Sequence, residues 1–280
     1  MDINKILGII DAFFAEERIE DAKEYIIKTL TVAEESKRYD IYIPLCNELA
    51  GIYRVGGEKE SCCKILAGAL QILEKNNLTK ELSYATTLLN LATAYSAFGD
   101  TQEALNTYSV VEEYYNTNLD PSDYRFASLY NNMCFALLKT GEEEKGLSYL
   151  EKSLATLQAL KGTEVEQATC HTNIGQIETS MNRLDKAFYH LTCADKIFNE
   201  NQIFDVHYDA LLSAFGNLKY KQMQYSEAAA YYEKAAENIK AKFGKNYNYR
   251  LLCRNCIKAL AKIGDTEKVT FFEKEISQND

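Results

Sequence analysis

Apolar and polar positions along this chain alternate with a helical period that is broken at regular intervals. From Leu88 to Val111 the sequence reads LLNLATAYSAFGDTQEALNTYSVV. With Ala85 as position 1, Leu88, Leu91, Ala92 and Tyr95 take positions 4, 7, 8 and 11. These lie on one stripe of a helix at about 100° per residue. Gly99 follows where a helix end favours left-handed backbone, and Asp100 with Thr101 offers N-cap chemistry to a second helix. That helix carries Ala104, Tyr108 and Val111 at positions 20, 24 and 27. The spacing predicts two antiparallel helices that cross closely at Ala92 and Ala104. Neither buries its stripe alone, so the unit needs neighbours.

The same frame fits seven times, with starts near Ile3, Ile43, Ala85, Ala127, Ala168, Asp209 and Arg250, 40 to 42 residues apart. The first repeat has Ile6, Ile9, Ile10 and Phe13 in its stripe and Glu17 in place of a turn glycine. The second turns at Gly56-Gly57, and Asn76-Asn77 stops its second helix, with Thr79 expected to cap the next. Asp120 and Pro121 read as N-cap and first helical residue ahead of the fourth repeat. Glu142, Glu143 and Glu144 open its second helix as dipole partners. Thr163 to Glu166 reads as a capping box for the fifth, whose turn carries Asn182. Gly175 and Gly216 occupy position 8 of the fifth and sixth repeats, and Gly244 ends the long second helix of the sixth. Residues 266–277 read as a C-terminal cap, with Val269 and Glu273 where a small residue and an aromatic are expected. No segment alternates with the two-residue period of a strand. The expected fold is all-α: a right-handed superhelical solenoid of seven antiparallel helix pairs, forming a single domain over 1–280.

Composition narrows the functional classes. A chain of 280 residues with 46% hydrophobic content folds, and its net charge of −10 argues against general nucleic-acid binding. No run approaches the roughly 18 apolar residues of a membrane span. Met1 to Lys5 lacks the basic start of a signal peptide. The eight cysteines include the neighbours Cys62 and Cys63 and the pair Cys253 and Cys256. Cys62, Cys134, Cys253 and Cys256 fall at buried positions of the frame, and no second CxxC stands at zinc-ligand spacing, so neither a metal nor a cofactor is expected. Free thiols without an export signal suit the cytoplasm. Motifs for phosphate loops, metalloproteases and hydrolase nucleophiles are missing, and Cys170 and His171 diverge by about 100° on one helix, so an enzyme is not expected. His171 stands at buried position 4 and reads as a core histidine.

These residues resemble the tetratricopeptide repeat, with its pattern at positions 4, 7, 8, 11, 20, 24 and 27. The resemblance covers essentially the whole chain. The usual proline near position 32 is missing, and the period is about 41 instead of 34. This longer form looks like the repeats of kinesin light chain and of Gram-positive quorum-sensing peptide receptors. The resemblance implies a scaffold or adaptor that binds protein or peptide in a concave groove. The alternative it implies is a receptor for a small signalling peptide, whose effector would lie on another chain because the first repeat begins almost at Met1.

On each first helix, positions 2, 5, 6, 9, 12 and 13 face away from the buried stripe, and the resemblance places them in that groove. Position 6 reads Glu48, Asn90, Asn132, Asn173, Ala214 and Asn255. An asparagine amide both donates and accepts, so a row of them can bond the backbone of an extended peptide. The family uses asparagines in this way, which carries the role to Asn90, Asn132, Asn173 and Asn255. Two other readings stay open: solvated surface, or bonds between repeats. Lys139, Lys221, Arg254, Lys258 and Lys262 gather towards the C-terminal half, with Tyr220 beside them, and would steer an acidic segment or a C-terminal carboxylate.

Overall fold

The computed structural model describes residues 2–277, which form fourteen helices and no strand. They pair as α1 (Ile3–Ala15) with α2 (Ile19–Glu35), α3 (Tyr39–Val55) with α4 (Lys59–Lys75) and α5 (Leu82–Phe98) with α6 (Thr101–Asn118). The series continues with α7 (Tyr124–Lys139) and α8 (Glu143–Gln158), α9 (Glu164–Ser180) and α10 (Leu184–Glu200), and α11 (Val206–Lys221) and α12 (Tyr225–Phe243). It ends with α13 (Tyr247–Ile263) and α14 (Thr266–Ser277), the expected last helix. The first helix of pairs two to seven starts three or four residues before the first position of the sequence frame. Two compact units are present, one up to Gly146 and one from Leu147 onward.

Within the first unit, α3, α5 and α7 pack in series as the first helices of their pairs, with α4 behind α3 and α6 behind α5. Ile6, Ile10, Ile26, Leu45 and Leu49 form one core cluster, and Cys62, Leu66, Leu91 and Ala94 another. In the second unit a single cluster joins Leu191, Phe198, Leu212, Tyr232, Cys253 and Leu260. The small residues expected at helix crossings, Ala22, Ala92, Ala104, Ala187 and Ala228, are fully buried. Six thiols, of Cys46, Cys62, Cys134, Cys170, Cys253 and Cys256, are buried as well, and all eight cysteines are free.

The turns follow the sequence closely. Gly57, Gly99, Gly141, Gly162, Gly244 and Gly264 have positive φ, and so do Glu17 and Asn182 at the expected places. Lys37, Gln202 and Met223 also take left-handed backbone, although nothing in their residue type marks them for it.

Four helix starts differ from the sequence reading, in three of them because the expected capping side chain is engaged elsewhere. The Asp100 carboxylate pairs with Lys59 one repeat away, at 2.7 Å, and makes no cap. Asp120 accepts from the Ser122 amide at 2.9 Å and from its hydroxyl at 2.5 Å, so it builds a turn, and Asp123 caps α7 by accepting from the Arg125 amide. The Thr163 hydroxyl donates to the Leu157 carbonyl at 2.8 Å and accepts from Gln167, so the capping box does not form. Glu81, not Thr79, occupies the N-cap of α5.

Position 8 shows how tightly the pairs close. A Cβ built at Gly216 would lie 2.5 Å from the Tyr232 ring. That ring is buried and held by its hydroxyl, which donates to Asn217 Oδ1 at 2.7 Å, so it cannot withdraw. Gly216→Ala should therefore destabilise the protein by about 1–3 kcal/mol, outweighing the helix propensity of alanine. Gly51→Ala is the control: its Cβ would meet nothing within 4 Å, and it should be neutral or stabilising by up to ~1 kcal/mol. Urea titration of both variants checks the contrast.

Candidate peptide-binding face

In the first unit, the position-6 side chains do not all point freely outward. Asn90 is half-buried, and its amide donates to Asn47 Oδ1 at 3.0 Å, while the Asn47 amide donates to Thr87 Oγ1 at 3.2 Å. One amide proton of Asn90 is thus spent on a bond between neighbouring repeats. Asn132 is half-buried and makes no hydrogen bond among the described residues. Lys139 is exposed, but its ammonium donates to the Ser96 carbonyl in the last turn of α5, where a cation meets the negative end of the helix. Its placement is that of a clamp between repeats.

In the second unit, Asn173 and Asn255 are both half-buried on their helices. Arg254 and Lys258 are exposed one turn apart on α13, and Lys221 is exposed at the end of α11. None of these three cations has an ion-pair or hydrogen-bond partner among the described residues. Tyr220 packs edge-on against Tyr225, with ring centroids 5.2 Å apart, and leans on the core of the unit. A cleft of about 510 Å³ opens between α11 and α13, lined by Val206, Ala210, Ser213, Phe243, Leu251 and the buried carboxylate of Asp209.

Two features escaped the sequence reading. One is a recess of about 400 Å³ in the first unit, around Glu48 and Gly51. The other is the ion pair of Asp209 with Lys242 at 2.9 Å, in which the Asp209 side chain is only 1% exposed. Glu48 was visible as the one acid in a row of amides; the ion pair had no signal beyond opposite charges 33 residues apart. His171 is buried as expected, with its Nδ1 3.0 Å from His190 Nδ1.

The fold and this face define an all-α repeat protein built from helix pairs. The tetratricopeptide repeat model matches residues 40–117 and 125–200, more than half of the chain, and the protein belongs to the tetratricopeptide repeat family. No curated protein sequence matches it. Among solved structures it is similar to the apo form of the quorum sensor NprR from B. thuringiensis, at 17% identity over 97% of this chain and 74% of that one, with a TM-score of 0.75. It is similar to BtubC (BKLC) from P. vanneervenii at 18% identity over 82% of this chain and 93% of that one, with a TM-score of 0.67. A Rap protein complexed with competence and sporulation factor aligns at 12% identity over 96% of this chain and 72% of that one, with a TM-score of 0.68. At these identities the likeness is one of fold. No helix among the described residues is long and apolar enough to cross a membrane.

Proposed function

We propose that the protein is a binding scaffold, not a catalyst, and that the first helices of its pairs present the binding face for an extended peptide or protein segment. The observation that carries this reading is the set of polar side chains on that face without partners of their own: Asn132 in the first unit, and Lys221, Arg254 and Lys258 in the second. Arg254 and Lys258, one turn apart on α13, and Lys221 at the end of α11 spend their charge on nothing among the described residues, and an acidic segment or a C-terminal carboxylate would pair with them. Asn132, Asn173 and Asn255 supply amides for a peptide backbone, each within its own unit, and Asn90 contributes through its carbonyl. Free thiols throughout fit a reducing cytoplasm.

The test is capture of a partner from host extract, followed by affinity measurement with the purified partner. Asn132→Ala/Asn255→Ala should weaken binding about 5- to 150-fold, at roughly 0.5–1.5 kcal/mol for each bond lost. Unchanged affinity at verified folding would return the amides to solvated surface.

A second reading, a receptor for a small signalling peptide, draws on the likeness to NprR over nearly the whole chain. A fall in the radius of gyration on adding a short peptide would favour it. A rigid chain that holds a whole protein would favour the adaptor.

A further inference from the structure

The recess in the first unit differs chemically from the rest of the face. Its walls come from Phe14 of α1, from Ile19, Glu20 and Lys23 of α2, and from Glu48, Gly51, Ile52, Arg54 and Val55 of α3. Gly51 opens it, because a Cβ there would meet nothing within 4 Å. Glu48 stands half-buried in the recess at position 6, where four other repeats carry a neutral amide.

No cation among the described residues serves this carboxylate. Glu48 makes no hydrogen bond or ion pair among the described residues. The residues one turn away on α3 are Pro44, Leu45, Gly51 and Ile52, all uncharged. Lys23 is committed to Glu58 at 2.8 Å. Arg54 is six residues on, about 120° round the helix, and its field is felt at Cys62 and Tyr108. The charge that Glu48 does feel is the carboxylate of Asp11 on α1, of the same sign. Desolvation and that neighbour push its pKa above the ordinary carboxylate range. A carboxylate held in this way is a standing cost to the fold, which a bound cation would relieve.

We propose that this recess is a cation-selective pocket that takes a lysine or arginine side chain of the bound segment, its methylenes on Phe14, Ile19 and Ile52 and its charged head on Glu48. The apolar walls select an alkyl chain with a terminal cation over a bare α-ammonium. The proposal rests on the binding-face reading and adds to it a ligand residue of stated charge.

The recess is tested first without any peptide. N-acetyl-arginine amide and its neutral isostere N-acetyl-citrulline amide are titrated into the full chain, and the amide resonances of Gly51 and Gly56 are followed by NMR. The arginine probe should saturate at millimolar concentration and bind at least about tenfold tighter than citrulline, the range of a charge-assisted hydrogen bond. Glu48→Gln should bring the two probes within about twofold of each other. Gly51→Leu, which fills the recess and leaves Glu48 in place, should abolish both. Equal binding of the two probes to the unaltered protein, or a preference that survives Glu48→Gln, overturns the pocket. Tighter binding of glycine amide, a bare α-ammonium, than of the arginine probe overturns the side-chain assignment. Labelled hexapeptide pools with arginine or citrulline fixed at one position complete the test. If the small probe binds as stated and no pool binds, the binding-face reading fails and the pocket stands. If pools bind with no arginine preference, the pocket fails and the face stands.

Discussion

Lys242→Met is expected to destabilise the protein by about 3 kcal/mol, the lower end of the cost of removing one partner from a buried ion pair. The lysine Nζ lies 2.9 Å from Asp209 Oδ2 and also donates to the Phe204 carbonyl. Asp209 Oδ1 accepts from Asn238 at 2.7 Å. Methionine keeps the alkyl stem but leaves Oδ2 without its cation, in a side chain that is 1% exposed. The lower end applies because Lys242 itself is about a third exposed, so water already screens part of the attraction. Asp209→Leu/Lys242→Met removes both charges and should recover more than half of the loss. Urea titration of the singles and the double closes the cycle. A double variant that loses the sum of the two singles would show that the charges do not act as a pair.

The second large effect is acid sensitivity centred on His171. Burial, with His190 beside it, lowers its pKa from 6.5 to about 4, and burial lowers that of His190 too. Glu151 and Lys186 act on His190 in opposite senses. A depressed histidine is neutral in the folded state while the unfolded chain takes up the proton near 6.5. Its contribution is therefore complete above that pH and lost as pH falls from 6.5 towards 4. Over the whole window the loss is about 3 kcal/mol, of which ~2 kcal/mol falls between pH 7 and 5. His171→Gln keeps a polar partner for His190 and should lose less than half as much over the same interval. Urea midpoints at the two pH values for both proteins give the comparison. Equal pH slopes would assign the sensitivity to other groups.

Much of the fold was legible because its determinants are local. A helix stripe, a left-handed turn and a small residue at a crossing are fixed by residues within a few turns of each other. Gly99, Asn182 and Ala104 could be assigned on residue type and spacing alone. The helix caps were less legible, since Asp100 and Thr163 have the right chemistry but were drawn to Lys59 and Leu157. The candidate site falls between these cases. Position 6 could be marked on each first helix by spacing, yet the commitment of Asn90 to Asn47 and of Lys139 to Ser96 depends on partners 43 residues away, one repeat back. Pairs offset by about one period are the signal that would have revealed them. The isolation of Glu48 could not be read from sequence at all, because it depends on where Lys23 and Arg54 direct their charge.

The seat of Tyr232 on Gly216 also restricts how this sequence can drift. A side chain at 216 is accommodated only if the ring at 232 is reseated, and loss of the ring first leaves a void over the bare backbone. Each single step passes through a less stable ancestor, so the two positions are inherited as a pair. The third repeat holds another solution, with Ala92 and Tyr108 at the same two frame positions and the Tyr108 hydroxyl donating to Thr93. Exchanging one solution for the other means reseating the ring over an added methyl, which makes residues 216 and 232 the pair of positions to compare among relatives of this chain.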